Sequence, residues 1–167
     1  GRAWGVRMLV DPAGVQAGSG ARGGGGFGSV RIFLTWEDLR PAPSHVDSTM
    51  GAGLVSTLDQ ASAAGLSVMP TLFTGHMSGV NWIPRWAVDE ERCPEPSSPE
   101  ARFRIIANNQ VIRGVAKNWF SDEIVGSAQE RLAGAAAEAL RGHPALWAWD
   151  LGNENSNCCI PATRQAA

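Results

Sequence analysis

Tyrosine is absent from the 167 residues, and the aromatic side chains are seven Trp and five Phe. Cysteine is scarce. Cys93, Cys158 and Cys159 form an odd set with two adjacent members and no CxxC spacing, which argues against a disulfide framework and against a structural zinc site. Neither sign of charge dominates. Fourteen basic and 16 acidic residues give a formal net charge of -2, so there is no electrostatic case for binding nucleic acid or an anionic membrane surface. No apolar run approaches the ~20 residues of a membrane span. His45, His76 and His143 stand at no metal-ligand spacing, so neither a metal nor a cofactor is expected. The first residue is Gly1 rather than Met. The native N-terminus is therefore expected to lie upstream, and a soluble chain could be cytoplasmic or secreted.

What is present fits one domain with a sizeable core. Residues 1–29 are rich in glycine. A short strand can be read near Trp4 to Val10, and Asp11-Pro12 has the form of a helix start. Gly18, Gly20 and Gly23 fit GxGxxG, the dinucleotide fingerprint, but that motif should open a helix. Here Gly23 to Gly26 follow, which are poor helix formers. Nucleotide binding is therefore the weaker reading of this stretch, and a glycine-rich connector is the stronger.

Beyond it, strand and helix patterns alternate. Residues 29–35 (Ser-Val-Arg-Ile-Phe-Leu-Thr) read as a buried strand. Residues 47–64 carry Met50, Leu54, Leu58 and Ala61 at helical spacing, with Asp47 or Ser48 as cap and Gly65 as terminator. Residues 66–73 read as a second strand, weakened by Pro70, which has no ladder donor. A long loop with His76, Asn81, Trp82 and Trp86 follows. Residues 104–113 read as a hairpin turning at Asn108-Asn109. Residues 121–141 are the clearest helix, capped by Ser121, with Ile124, Ala128, Leu132, Ala135 and Ala139 on one face. The alternation argues parallel α/β architecture.

The last strand predicted is residues 145–151, a Trp-rich apolar run interrupted by Asp150 and ending on Gly152, Asn153 and Glu154. A buried parallel strand that ends on an amide and a carboxylate suggests an active site, because α/β sheets place their chemistry at strand C-termini. Strict alternation would send Asn153 and Glu154 to opposite faces, so one site can use both only if the strand ends or bulges there.

The run from His143 through Glu154 (His-Pro-Ala-Leu-Trp-Ala-Trp-Asp-Leu-Gly-Asn-Glu) resembles the fourth barrel strand of the retaining glycoside hydrolases of the cellulase and β-mannanase superfamily, the family 5-like TIM-barrel enzymes. Residues 29–41 resemble strand two of that family, and the run from Pro70 through Trp86 resembles the end and loop of strand three. The resemblance covers about residues 29–157 and implies a partial (β/α)8 barrel, roughly strands one or two through four with their helices. Residues 1–29 would then be a degenerate first β/α unit and 158–167 a tail. A full barrel typically needs about 250 residues.

The resemblance implies a carbohydrate substrate of mannan or cellulose type. It makes Glu154 the general acid/base and Asn153 the residue that hydrogen-bonds the sugar 2-hydroxyl. Glu154 would need burial beside apolar groups to stay protonated near neutral pH. Arg31 would stand near the catalytic carboxylates, although an ordinary salt bridge is the competing reading. His76 would bind substrate or orient the acid/base, with a structural histidine almost as well supported. Trp36, Trp82 and Trp86 are candidate sugar platforms and Asn81 a candidate polar contact. Core anchoring explains the tryptophans equally well.

The family's nucleophile is a second Glu on strand seven, which nothing here matches. Glu37 and Asp38 stand at the appropriate face but fit no nucleophile position. Arg31, His76, Asn153 and Glu154 are expected to converge on one rim. Open barrel edges imply self-association. A non-catalytic carbohydrate-binding half-barrel is the alternative.

Overall fold

In the computed structural model, residues 6–7, 28–40 and 42–160 are described. The Gly18 to Gly23 motif and Asp11-Pro12 lie outside them.

β1 (Val6–Arg7) and β2 (Ser29–Leu34) lead into a one-turn helix, α1 (Trp36–Leu39), and then α2 (Met50–Ala63). β3 (Ser67–Thr74) follows. The excursion after it carries β4 (His76–Met77), β5 (Val80–Trp82), β6 (Val88–Asp89), β7 (Ile105–Ala107), β8 (Gln110–Ile112) and β9 (Val115–Ala116). The chain closes with α3 (Glu123–Ala139) and β10 (Asp150–Asn153).

The main sheet has the order β1-β2-β3-β10. β2, β3 and β10 are parallel, and α2 and α3 are the crossovers between them. The strand near the N-terminus does not extend this pattern. β1 runs antiparallel to β2, with Val6 opposite Leu34 and Arg7 opposite Phe33. It is an edge partner, not the first member of a parallel β/α series.

Val30, Ile32, Leu34, Val68 and Leu72 from the strands form one core with Met50, Leu54 and Leu58 of α2. Val125, Ala128, Leu132, Ala136 and Leu140 complete it from the α3 side. The face expected of α3 is turned slightly, since Ile124 is 53% exposed and Val125 is buried instead. Asp122, not Ser121, is the N-cap, and its side chain accepts from the Val125 N–H at 2.9 Å. Asp47 organises the start of α2 from outside the cap position, accepting from both Thr49 N and Thr49 Oγ1. Left-handed Gly65 and Gly142, at φ +74 and +71, follow the two helices.

Pro70 leaves a mark on the sheet. Val68 N–H donates to Ala145 O and Val68 O accepts from Trp147 N–H, so the polar backbone of Val68 faces the last strand. By the two-residue period Pro70 faces the same way, but it has no N–H to give. The ladder is interrupted there. Leu146 pairs with Val68 and Asp150 with Thr71, so the last strand carries one more residue between these points than β3 does. This is a β-bulge, and it corrects the continuous strand expected over residues 145–151. Regular pairing begins only at Asp150, and Trp147 is 64% exposed.

The excursion after β3 forms its own sheet, β4-β5-β7-β8. The β7–β8 hairpin turns at Asn108 and Asn109, both at positive φ (48 and 59). Its tip is tied to α1 by a hydrogen bond from Asn108 N to Glu37 Oε2 at 2.6 Å. Burial pushes the Glu37 carboxyl above its usual range, against the opposing effect of that bond. Cys158 and Cys159, assigned to a tail from sequence, are buried in the core cluster.

Candidate active site

His76 and Glu154 meet because β3 and β10 are adjacent and parallel and both end at the same level, with Asn153 opposite Thr74. Only Gly75 separates β3 from His76. A Cβ on Gly75 would come within 2.6 Å of both Cys158 Sγ and a Trp119 ring carbon, so no larger residue fits that bend without displacing its neighbours. On the opposing strand Asn153 Nδ2 donates to the His76 carbonyl and straps the two ends together. Glu154 then leaves the strand direction in the left-handed conformation, φ 48 and ψ 42. This abrupt end is the departure from alternation that lets Asn153 and Glu154 serve one locality.

The His76 ring is buried against Phe103, centroid to centroid 4.1 Å. Its Nε2 lies 3.6 Å from Glu154 Oε2, and its Nδ1 is 2.8 Å from Asn81 Oδ1. Glu154 Oε2 also accepts from Asn157 Nδ2 at 3.1 Å. The Glu154 side chain is 59% exposed. The apolar burial expected for a protonated acid is therefore not supplied by the described residues.

Four expectations need correction. Arg31 does not reach Glu154. It sits early in β2, at the level of Met69 on β3, and its guanidinium engages Asp150 through both Nε (3.0 Å) and Nη2. Arg31 Nε also donates to Thr71 Oγ1 at 2.9 Å, and Thr71 Oγ1 donates to Asp150 Oδ2 at 2.6 Å. Arg31 Nη2 also donates to Gly152 O at 3.3 Å, so the guanidinium reaches the backbone two residues before Glu154 while its ion pair is with Asp150.

Trp36 is 1% exposed and packs against Phe73, Trp86 and Trp119, with ring centroids 5.0 to 5.5 Å apart. It cannot present a face to a sugar. Trp86 is partly buried edge-on to Trp36, with its N–H donated to Arg40 O at 3.0 Å, and it belongs to the same cluster. Asn81 is 2% exposed, with both ends of its amide engaged by protein, so it is no direct contact for substrate. Trp82 is half-buried and donates its N–H to Met77 O at 3.1 Å.

Sequence reasoning missed the Arg31-Thr71-Asp150 cluster. Counted by twos from Leu146, Asp150 would point into the helix-side core, and only the bulge turns it to the face of Thr71. Pro70 was the available signal.

No protein-family model and no curated protein matches the chain. Solved structures do. A GH5_18 protein from Streptomyces cattleya, solved in complex with GlcNAc, aligns with 92% of this chain at TM-score 0.64 and 23% identity. A GH5_18 protein from Bifidobacterium longum subsp. infantis aligns with 75% at TM-score 0.57 and 23% identity. The exo-β-1,4-mannosidase Op5Man5 from Opitutaceae bacterium strain TAV5 aligns with 77% at TM-score 0.55 and 30% identity. The chain spans 31%, 24% and 18% of these three proteins respectively. The likeness is one of fold. It supports a GH5-like fold over the aligned part, similar to that of the matched glycoside hydrolase structures.

Proposed function

We propose that the chain is the acid/base-bearing part of a (β/α)8 retaining glycoside hydrolase acting on β-linked saccharides, β-mannosides foremost. The observation that carries this reading is the meeting of His76, Asn153 and Glu154 at the C-terminal ends of two adjacent parallel strands. Barrel enzymes assemble their chemistry at that end. The emphasis on mannosides draws on the β-1,4-mannosidase among the structural relatives and on a GH5_18 structure in complex with Manβ1-4GlcNAc.

In this reading protonated Glu154 gives its proton to the glycosidic oxygen as the bond to the anomeric carbon breaks. A second carboxylate attacks that carbon from the other face. Deprotonated Glu154 then takes a proton from water, whose oxygen displaces the enzyme carboxylate and regenerates both groups. The two carboxyls of such a pair stand about 5 to 5.5 Å apart. Asp150 is a poor second member, because Arg31 and Thr71 already hold its Oδ2. The nucleophile is assigned to polypeptide beyond the described strands, and this chain alone is expected not to turn over substrate. Packed against that polypeptide, Glu154 would gain the burial an acid requires. The exposure of Glu154 favours a second reading for the isolated chain, a carbohydrate-binding half-barrel without catalysis.

Titration calorimetry with manno- and cello-oligosaccharides, NAD and ATP tests the class of ligand. Heat with a β-linked oligosaccharide, reduced by Asn153→Ala, is the expected result. Heat with nucleotide alone would sink both carbohydrate readings. In a longer polypeptide that hydrolyses these sugars, Glu154→Gln should lower kcat by roughly 10²- to 10⁴-fold, the usual worth of general acid–base catalysis.

A further inference from the structure

The tautomer of His76 can be read from its neighbours. Asn81 Nδ2 donates to the Asn157 carbonyl at 2.9 Å, and a carbonyl only accepts. This fixes the amide, so the atom that Asn81 turns to His76 is its oxygen, 2.8 Å from Nδ1. An amide oxygen also only accepts, so Nδ1 must carry the ring proton. Nε2 of the neutral ring is then a bare lone pair, 3.6 Å from Glu154 Oε2.

We propose that Asn81 is a positioning residue that holds His76 as the Nδ1–H tautomer, so that the Nε2 lone pair faces the carboxyl of Glu154 as a proton acceptor. The functional meaning rests on the reading of Glu154 as the acid/base, whereas the tautomer itself does not. Three hydrogen bonds and one 3.6 Å contact link these residues in a ring. Glu154 Oε2 accepts from Asn157 Nδ2, Asn157 O accepts from Asn81, and Asn81 accepts from His76, which faces Glu154 again.

In the proposed role protonated Glu154 donates toward Nε2 of the imidazole, 3.6 Å away and so not hydrogen-bonded in this arrangement. Glu154 is the carboxylate facing it, Asn81 and Asn153 are neutral, and Phe103 covers its face. The Arg102 guanidinium lies over the Phe103 ring, 5.1 Å from its centroid, and is the nearest cation in this stack.

Long-range ¹H–¹⁵N correlation spectra of the histidine rings test the proposal on the chain itself. His143 supplies an internal standard of opposite sense. Its Nδ1 accepts from Ala145 N at 3.2 Å and its Nε2 faces Asp59 at 3.1 Å, which makes it an Nε2–H ring. At a pH where its ring is neutral, His76, assigned by loss of its signals in His76→Gln, should show the Nδ1–H pattern. A wild-type His76 with the Nε2–H pattern overturns the proposal without any variant. Asn81→Leu should turn the single tautomer into a mixture, and an unchanged Nδ1–H pattern would remove Asn81 from the role. Asn81→Asp keeps an acceptor at Nδ1. It should retain the tautomer of the neutral ring, and loss of the tautomer there would also count against the assignment. If calorimetry shows no sugar binding while the tautomer is as stated, the functional reading fails and the Asn81–His76 assignment stands.

Discussion

Asp150 and Glu154 lie four residues apart at the same edge of the main sheet, yet the protein treats them oppositely. Asp150 is held by a guanidinium and a hydroxyl, both supplied by strands formed far earlier in the chain. Glu154 is mostly exposed, with one amide on its carboxylate and an imidazole at a distance. A guanidinium stays charged at any ordinary pH and stabilises only the ionised carboxylate beside it. An imidazole can meet either protonation state by moving a proton of its own. The difference makes Asp150 a brace of the sheet and leaves Glu154 free for the acid/base role proposed for it.

Substitutions can sharpen or break this division. Arg31→Met should have the largest effect, because it strips a half-buried carboxylate of its charge-assisted bonds. A loss of roughly 2 kcal/mol is expected in urea unfolding. Thr71→Val removes the hydroxyl shared by Arg31 and Asp150 and should cost about 1 kcal/mol. Glu154→Gln should stay within about 0.5 kcal/mol of wild type, as exposed positions do. If Glu154→Gln proved as damaging as Arg31→Met, the distinction between brace and proton carrier would be wrong.

The smallest effect is electrostatic. Burial, then Cys159, then the charge of Glu154 push the Cys158 thiol far above its usual value. A raised thiol pKa means that the folded state binds the proton more tightly than the unfolded state. Stability should therefore fall as pH rises above the ordinary thiol range near 9. Glu154→Gln should make Cys158 titrate at slightly lower pH, and Asp150→Asn should leave it unmoved. Native labelling with a thiol reagent should find Cys93 alone, because Cys158 and Cys159 are buried.

The strands at Ser29–Leu34 and Ser67–Thr74 were legible as short runs buried on both faces, and both long helices because each buries one regular face. The Asn153-Glu154 pair was legible as the polar end of an apolar run. Other features depend on three dimensions. Trp36 sits in what reads as a loop, but three distant aromatics close around it. The role of Asn81 depends on Asn157, 76 positions away. The buried face of α3 was misread by one residue because its alanines look alike from every side, whereas burial prefers Val125 to Ile124.

The left-handed backbone at Glu154 sets folding against the role proposed for that residue. A non-glycine side chain in that region costs about 1 to 2 kcal/mol, and Gly or Asn tolerates it best. The residue most comfortable at position 154 is therefore not one that can deliver a proton. Glu154→Asn should melt a few degrees higher than the parent and, if the proposed function holds, should keep sugar binding while abolishing cleavage within a complete enzyme. A variant relaxed in this way would suit the capture of an intact substrate, and its gain in melting temperature would measure what the native protein gives up to keep a carboxyl group at that turn.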